Sequence, residues 1–443
     1  MKVVPLYPHS SSDRPGVSSG VRVVTALDVG SSKISCMIAE VRGVRRSSGS
    51  AVPAVRITGF GVQAARGIRC GVVVNVEEAE KAVRLAMDAA ERMAGVTVED
   101  VHMNISGGRP RCTTLQAEIR VEGGGPVGAH HVSRVVAQAA AAFSDPAREV
   151  VHVTPSSFHL DGGPAVFMAE GMYADRLGVR VNAVSVDRGP LRNLETMIER
   201  CMLRPAGFVI APYAAARAVL TDDERELGVV VVEVGAASTS VAIFVEGRLE
   251  HASMLPVGSE HITRDIAAGL GTPLAEAERL KTLHGSVLPG VHDDLEGLSV
   301  PLLGEEGPGA MQHLPRSMLG GIIRPRVEEI LELVRDELTG CASAKAIRRV
   351  VLTGGGSQLV GMREMAEHVL ERTARVGSPR IIAGMPKAMQ TPAFAVVAGL
   401  LRDAIEPDGQ SFRLPSGGGA EPCMRASGGG YLSRVREWLG QSF

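Results

Sequence analysis

Several features that would assign this chain of 443 residues to a class at once are missing. No run of about 18 apolar residues occurs, which excludes a helix that crosses a bilayer. The cysteines Cys36, Cys70, Cys112, Cys201, Cys341 and Cys423 are scattered, with no CxxC pair. That spacing speaks against a zinc site and a disulfide framework and suits a reducing cytoplasm. A net charge of −2 leaves no general footprint for nucleic acid. Lysines are few and arginines many, which reads as genome composition rather than function. The opening MKVVPLYPHSSSDRPGVSSG lacks the apolar core of a signal peptide. Its Pro, Ser and Gly content predicts a disordered arm over residues 1–20.

What is present is an ordinary globular composition, 45% hydrophobic and 22% charged, in a chain long enough for about three domains. The organising stretch is VVTALDVGSSKISCMIAEV, residues 23–41. An apolar run ends in Asp28, the turn Gly30-Ser31-Ser32-Lys33 follows, and an alternating strand returns. Small residues at a hairpin tip leave backbone N–H groups for a phosphate, Lys33 adds charge, and Asp28 is placed to hold magnesium through water. Alone, this pattern is equally an ordinary turn. The design recurs in GVVVVEVGAASTSVAIF, residues 228–244, with Glu233 as the acid. A third site, RRVVLTGGGSQLVGMREMAEHVL, reads as strand, three glycines and helix. Gly354, Gly355 and Gly356 permit close backbone approach to a ligand, and the helix offers N–H donors. Two acidic hairpins and one strand-glycine-helix unit, in this order, suit two similar lobes closing on a nucleotide.

Between these sites, 54–61 reads as a third strand and 76–93 as a helix with Ala79, Val83, Ala86, Met87 and Ala90 on one stripe, N-capped by Asn75. Residues 107–181 change character and read as a small α+β insertion with a helix near 131–143 and strands near 150–154 and 180–185. His130 and His131 are adjacent without a third ligand, so no metal site is expected there. A helix over 188–201 precedes a strand at 205–211 and a helix at 211–220. Glu278 and Lys281 share a helix face three residues apart, either as an exposed ion pair or as a clamp on a nucleoside. A strong helix is predicted from Pro325 to Leu338.

Residues 403–430 read as a Pro/Gly/Ser linker with a reach of about 30 Å. The last stretch, GYLSRVREWLGQSF, breaks the pattern. Leu432, Val435, Trp438, Leu439 and Phe443 share one helical face, flanked by Arg434 and Arg436, and Trp438 is the only tryptophan. Such a helix behind a tether fits a lipid surface better than its own core, with docking on a partner as the other reading.

These stretches, with TDDERELGVVVVEVG and GTPLAEAERLKTLHGS, resemble the FtsA family of actin-like bacterial division proteins across residues 21–443. The resemblance implies a two-lobed actin-like (ribonuclease H-like) α/β fold with an inserted α+β SHS2-type subdomain. It divides the chain into lobe 1 core (21–106 and 384–404), insertion (107–182), lobe 2 core (183–257 and 341–383), a subdomain 2B (258–340), linker (405–430) and membrane-targeting helix (431–443). It further implies ATP and Mg²⁺ between the lobes. Gly30, Ser31, Ser32 and Lys33 would hold phosphates from one side, Gly235 and Ser238 from the other. Glu278, Lys281, Gly354, Gly355 and Gly356 would take the nucleoside, with Asp28 and Glu233 at the metal. Arg316 and Arg326 align with contacts to the acidic FtsZ C-terminal tail. Expected partners are FtsZ, further copies of the chain in filaments, later divisome membrane proteins and an anionic membrane, with no nucleic acid. The expected location is peripheral, on the cytoplasmic side of the inner membrane at the septum.

The second phosphate hairpin departs from the family's D-x-G-G-G-T. Here Glu233 stands for the aspartate, and Ala236 and Ala237 stand for glycines. A longer carboxylate shifts a metal-bound water by about an ångström, and misplacement of that size costs ~100-fold in rate. Strain is expected at the two alanines if glycine-only dihedrals are kept. The expectation is retained binding with, at most, slow ATP hydrolysis. The rivals are a sugar kinase, for which no substrate-facing base other than Glu233 is evident, and an Hsp70-like ATPase, for which no peptide-binding domain follows.

Overall fold

The computed structural model describes residues 21–45, 51–304 and 311–406. The arm 1–20, most of the linker and the amphipathic stretch 431–443 lie outside the described residues.

Two five-stranded sheets share one topology. In the first, Arg22–Val29 pairs antiparallel with Lys33–Arg45, which pairs antiparallel with Ala51–Ala64. On its other side Arg22–Val29 runs parallel to Asp100–Ile105, and that strand parallel to Arg204–Ile210. In the second, Val229–Val234 pairs antiparallel with Thr239–Val245 and onward to Arg248–Leu255. Its other edge adds Arg349–Thr353 and Thr373–Val376, both parallel. The central strands are buried on both faces, which is why they read as near-continuous valine and isoleucine runs rather than as alternation.

The matched topology also fixes where the first sheet ends. Residues 183–257 were expected to belong to the second lobe. Instead the helix Arg188–Arg200 and the strand Arg204–Ile210 complete the first sheet, with Phe208 opposite Met103 and Ile210 opposite Ile105. Parallel neighbours need a crossover, and this helix supplies it. The helix Met362–Leu370 does the same between Arg349–Thr353 and Thr373–Val376. The insertion interrupts that crossover in the first lobe, so the chain finishes its sheet only after leaving the insertion. Leu191, Leu194, Met197 and Ile198 bury the crossover helix in the first core.

The helix Val76–Ala94 forms as its apolar period predicts. Asn75 accepts hydrogen bonds from the N–H groups of Glu77 and Glu78, and Gly95 closes the helix in the left-handed region. The helix predicted from Pro325 begins at Arg316 and runs to Gly340 with Pro325 inside it. Proline removes one hydrogen bond and crowds the carbonyl four residues back. The stripe Leu319, Ile323, Val327, Ile330, Leu331, Val334 and Leu338 is buried across that point and holds the helix together.

The insertion folds as a four-stranded sheet ordered Arg111–Arg120, Arg176–Asp187, Arg148–Leu160, Ala165–Val166, with the helix Ala129–Ala141 against it. Arg111–Arg120 was not anticipated, because its polar, exposed sequence hides the inward Leu115, Ala117 and Ile119. His131 serves the helix start, its Nδ1 accepting from the Gly128 N–H at 3.0 Å.

Although covalently part of the first lobe, the insertion is fastened to the second lobe's edge strand. Arg248 is 7% exposed and donates to the carbonyls of Pro155, Ser156 and Phe167 at 3.2, 3.1 and 2.5 Å, with its guanidinium 5.0 Å from the Phe167 ring. Asn182 adds a hydrogen bond to Glu250 at 3.1 Å. Replacing Arg248 with Met strands these acceptors and is expected to cost about 2–4 kcal/mol. Denaturant unfolding reads the loss. Hydrogen exchange should rise first in 148–160; uniform exchange across the chain would refute the fastening role.

Candidate functional site

The two acidic hairpins face one another across a cleft of about 490 Å³, a size typical of small-molecule sites. Their tips are built alike. The Gly30 N–H donates to the Lys33 carbonyl at 3.1 Å, and the Gly235 N–H to the Ser238 carbonyl at 2.9 Å. A Cβ on either glycine would lie 2.8 or 2.9 Å from that same carbonyl, so only glycine closes these turns without displacement. The second tip is further held by the helix Ser259–Leu270, whose Ser259 and Glu260 N–H groups donate to the Gly235 and Ala236 carbonyls at 2.9 and 2.7 Å.

Every nucleotide candidate lines this cleft. Gly30, Ser31, Ser32 and Lys33 come from one side, Gly235 and Ser238 from the other. Glu278, Lys281, Gly354, Gly355 and Gly356 form part of the remaining wall. Asp28 and Glu233 also border it. The expected strain at Ala236 and Ala237 is absent, since neither has a positive φ. The second tip closes on Gly235 alone and leaves the alanines in ordinary backbone conformations. The triple glycine differs in detail from the expected strand-glycine-helix. Gly355–Gln358 is a 3₁₀ turn, and the α-helix starts at Met362 after Gly361.

Burial lifts the Asp28 carboxyl to about 6, against the pull of Lys33 and a hydrogen bond from Asn104. Burial also lifts Glu233 to about 7, and the neighbouring Asp28 charge adds to it, while Lys33 and Ser240 oppose. Two acids thus meet across the cleft, with Lys33 as the cation that acts on both. Asn104, which no sequence motif marks, fixes Asp28. Its Nδ2 donates to Asp28 Oδ1 at 2.7 Å, and its Oδ1 accepts from the Val29 N–H at 2.8 Å. Its signal was a buried polar residue at the end of an apolar strand, invisible until the parallel pairing sets that strand beside Arg22–Val29.

Glu278 and Lys281 are not a plain surface pair. The Lys281 side chain is 11% exposed and its ammonium donates to Glu278 Oε2 at 2.7 Å, Thr263 Oγ1 at 2.8 Å and the Ser259 carbonyl at 3.1 Å. This network ties the helix Leu274–His284 to the start of the helix that caps the second hairpin. Ser106, Gln358 and Ala393 also border the cleft and went unread in the sequence.

Arg316 and Arg326 lie away from it, at the start and within the first half of the long helix. Arg316 pairs with Glu296 at 2.8 Å and donates to the His284 carbonyl. Arg326 grips both Asp265 oxygens, at 2.5 and 3.1 Å, and also pairs with Glu329. Ten residues apart on one helix, they stand about 15 Å from each other, and an acidic partner has to compete with these carboxylates. Leu432, Val435, Trp438, Leu439 and Phe443 lie outside the described residues.

Comparison with known proteins agrees with this architecture. The family model "Cell division protein FtsA" matches residues 230–399, and the model "SHS2 domain inserted in FTSA" matches 107–185. Cell division protein FtsA of Rhizobium meliloti (strain 1021) is 37% identical over 435 residues, 97% of each chain. Its counterpart in Escherichia coli (strain K12) is 29% identical over 432 residues, 95% of this chain and 98% of that one. Among solved structures, the PilM-PilN type IV pilus biogenesis complex superposes with a TM-score of 0.60 at 17% identity, over 87% of this chain and 99% of that one. MreB5 of Spiroplasma citri bound to ADP gives 0.52 at 11%, over 87% and 99%; at such identities these two speak to fold alone. Two lobes of one actin-like topology, an SHS2 insertion and near full-length similarity to curated relatives together place the chain in the FtsA family of cell division proteins.

Proposed function

We propose that the chain is a nucleotide-gated adaptor of division. It binds ATP with Mg²⁺ in the cleft, assembles with copies of itself in an actin-like manner, and ties FtsZ to the inner face of the cytoplasmic membrane through 431–443, helping to recruit later divisome membrane proteins. The observation that carries the nucleotide part is the convergence of both hairpins and the triple glycine on one cleft. The residues there fit the ligand. Glycine-closed tips, with Lys33 beside one, suit phosphates, and Glu278 with Lys281 suits a ribose or base edge. Asp28 and Glu233 would hold a divalent cation through water, and its charge would offset their mutual repulsion. Bound there, it would neutralise phosphate charge.

The membrane and FtsZ parts rest on family membership and on the amphipathic pattern of 431–443. Arg316 and Arg326 are the proposed contacts for an acidic FtsZ tail, by exchange of their present carboxylate partners. Vesicle flotation of the full chain with FtsZ, with and without ATP, tests the adaptor role. FtsZ should float only when residues 431–443 and anionic vesicles are both present; flotation that ignores the deletion refutes it. Hydrolysis is expected to be slow, because Glu233 carries one methylene more than the family's aspartate. Steady-state turnover of wild type and Glu233→Asp checks this: the variant should be faster, and brisk wild-type turnover contradicts the reading.

A further inference from the structure

A second cavity, of about 250 Å³, opens on the first lobe away from the nucleotide cleft. Val55, Ala218, Ile381, Ile382 and Ile405 give it apolar walls, and Ile381 is 72% exposed. Arg380 and Arg402 stand at the same site. Their described hydrogen bonds go to backbone carbonyls, Arg380 to Leu220 at 2.6 Å and Arg402 to Arg217 at 3.5 Å. Burial holds the Arg402 guanidinium below its usual range, with Arg380 and Arg217 adding to the effect and Glu406 and Asp222 opposing it; three arginines against two acids leave the site able to take a further carboxylate.

The cavity includes Glu406, the last described residue. The rest of the chain, 407–443, therefore departs from its rim. The sequence of that segment spaces Leu432, Val435, Trp438 and Leu439 at helical intervals and holds the molecule's one tryptophan, Trp438, preceded by an acid, Glu437. A cavity of this size takes one large aromatic side chain, and the acid beside it matches the two arginines. A tether with the composition of 407–430 spans about 30 Å, more than a return to its own starting point requires. Such tethers set effective concentrations in the millimolar range, so even a weak contact is populated.

We propose that the cavity at Val55, Ile381 and Ile405 is a parking site for the chain's own segment 431–443, with Trp438 in the apolar pocket and Glu437 at Arg380 and Arg402. The parked segment is withheld from lipid, and an anionic surface draws it out because a bilayer buries the whole apolar face rather than one ring. This deepens the membrane part of the proposed function and rests on it.

The sole tryptophan makes the test direct. In lipid-free buffer the full-length protein should show blue-shifted Trp438 emission and low acrylamide quenching, both unchanged on dilution. Ile381→Glu alters an exposed side chain and should fold normally. It should shift emission to the red and raise quenching several-fold. With limiting vesicles of phosphatidylglycerol and phosphatidylcholine, Ile381→Glu should float several-fold better than wild type. As a second readout, Trp438→Gln should raise hydrogen exchange in 380–382 and 398–405. Emission of exposed tryptophan in wild type, no response to Ile381→Glu, or a blue shift that vanishes on dilution would each overturn self-docking. Failure of every variant to bind vesicles would instead refute the membrane reading, while leaving the lipid-free emission to decide the parking site.

Discussion

Gly354→Ala is expected to destabilise the protein by about 3 kcal/mol, whereas Gly355→Ala, one residue away, should change stability by less than about 0.5 kcal/mol. Gly354 has φ +81°, and a Cβ there would lie 2.5 Å from the Val234 carbonyl oxygen and 3.0 Å from Glu233 Oε1. With ψ at 167° the backbone lies in a region essentially confined to glycine, which costs an alanine roughly 1–3 kcal/mol, and the overlap with backbone adds a comparable amount. The nearest atom to a Cβ on Gly355 is the Ala393 Cβ at 3.9 Å, an ordinary contact. Because the overlap at Gly354 displaces Glu233, nucleotide affinity should also fall at least about tenfold. Thermal unfolding and calorimetric titration of the two variants measure both effects. Equal behaviour of the neighbours would show that the glycines serve chain flexibility and not the approach of Arg349–Thr353 to the second hairpin.

The second large effect is a pH dependence that a bound metal nucleotide should erase. Asp28 and Glu233 have folded-state values near 6 and 7, above those of exposed carboxyls. A raised carboxyl stabilises the fold fully below its unfolded value, near 4, and that contribution is lost as pH rises through 6 and 7. The nucleotide-free protein should therefore lose stability, by a few kcal/mol, between pH 5.5 and 7.5. Glu224, Glu276 and Glu337 are lowered by Arg375, Arg279 and His251, and their contributions are lost only in more acid solution. The window thus excludes those three; His131, held low by burial, adds a change of opposite sign, Glu195, held high by burial, adds one of the same sign, and substitution at the pair separates them. Asp28→Asn should reduce the slope by about half, since burial alone keeps Glu233 raised; Asp28→Asn with Glu233→Gln should flatten it, and saturating Mg-ATP should flatten it in wild type. A full slope that persists in the double variant would place its origin elsewhere.

How far the sequence could be read follows from which forces act locally. The hairpins were legible because a strand, an acid and a small-residue turn sit within twenty residues, and the same grammar occurs twice. The helix at Val76–Ala94 was legible from its period and its asparagine cap. By contrast, membership of Arg204–Ile210 in the first sheet is set by pairing with Asp100–Ile105 across an intervening subdomain, which no local pattern encodes. Arg111–Arg120 is exposed along most of its length, so its alternation is weak. Pro325 looked like a helix start, its commonest role, and the apolar stripe through it overrode that preference. In the cleft, the chemistry-bearing side chains were found from type and spacing, but Asn104 depends on sheet register and Lys281's third partner on the packing of two helices. The tight carboxylate pairing of Arg316 and Arg326 is likewise a tertiary fact.

A nucleotide-gated adaptor requires that the two lobes grip one ligand together. Calorimetric titration of Mg-ATP into the full-length protein, wild type beside Lys33→Ala and Lys281→Ala, asks this directly, since Lys33 belongs to the first hairpin and Lys281 to the helix beside the second. The expected result is one site per chain, with affinity lowered at least about tenfold by either substitution alone. Binding that survives either change unaltered would contradict a nucleotide held between the lobes.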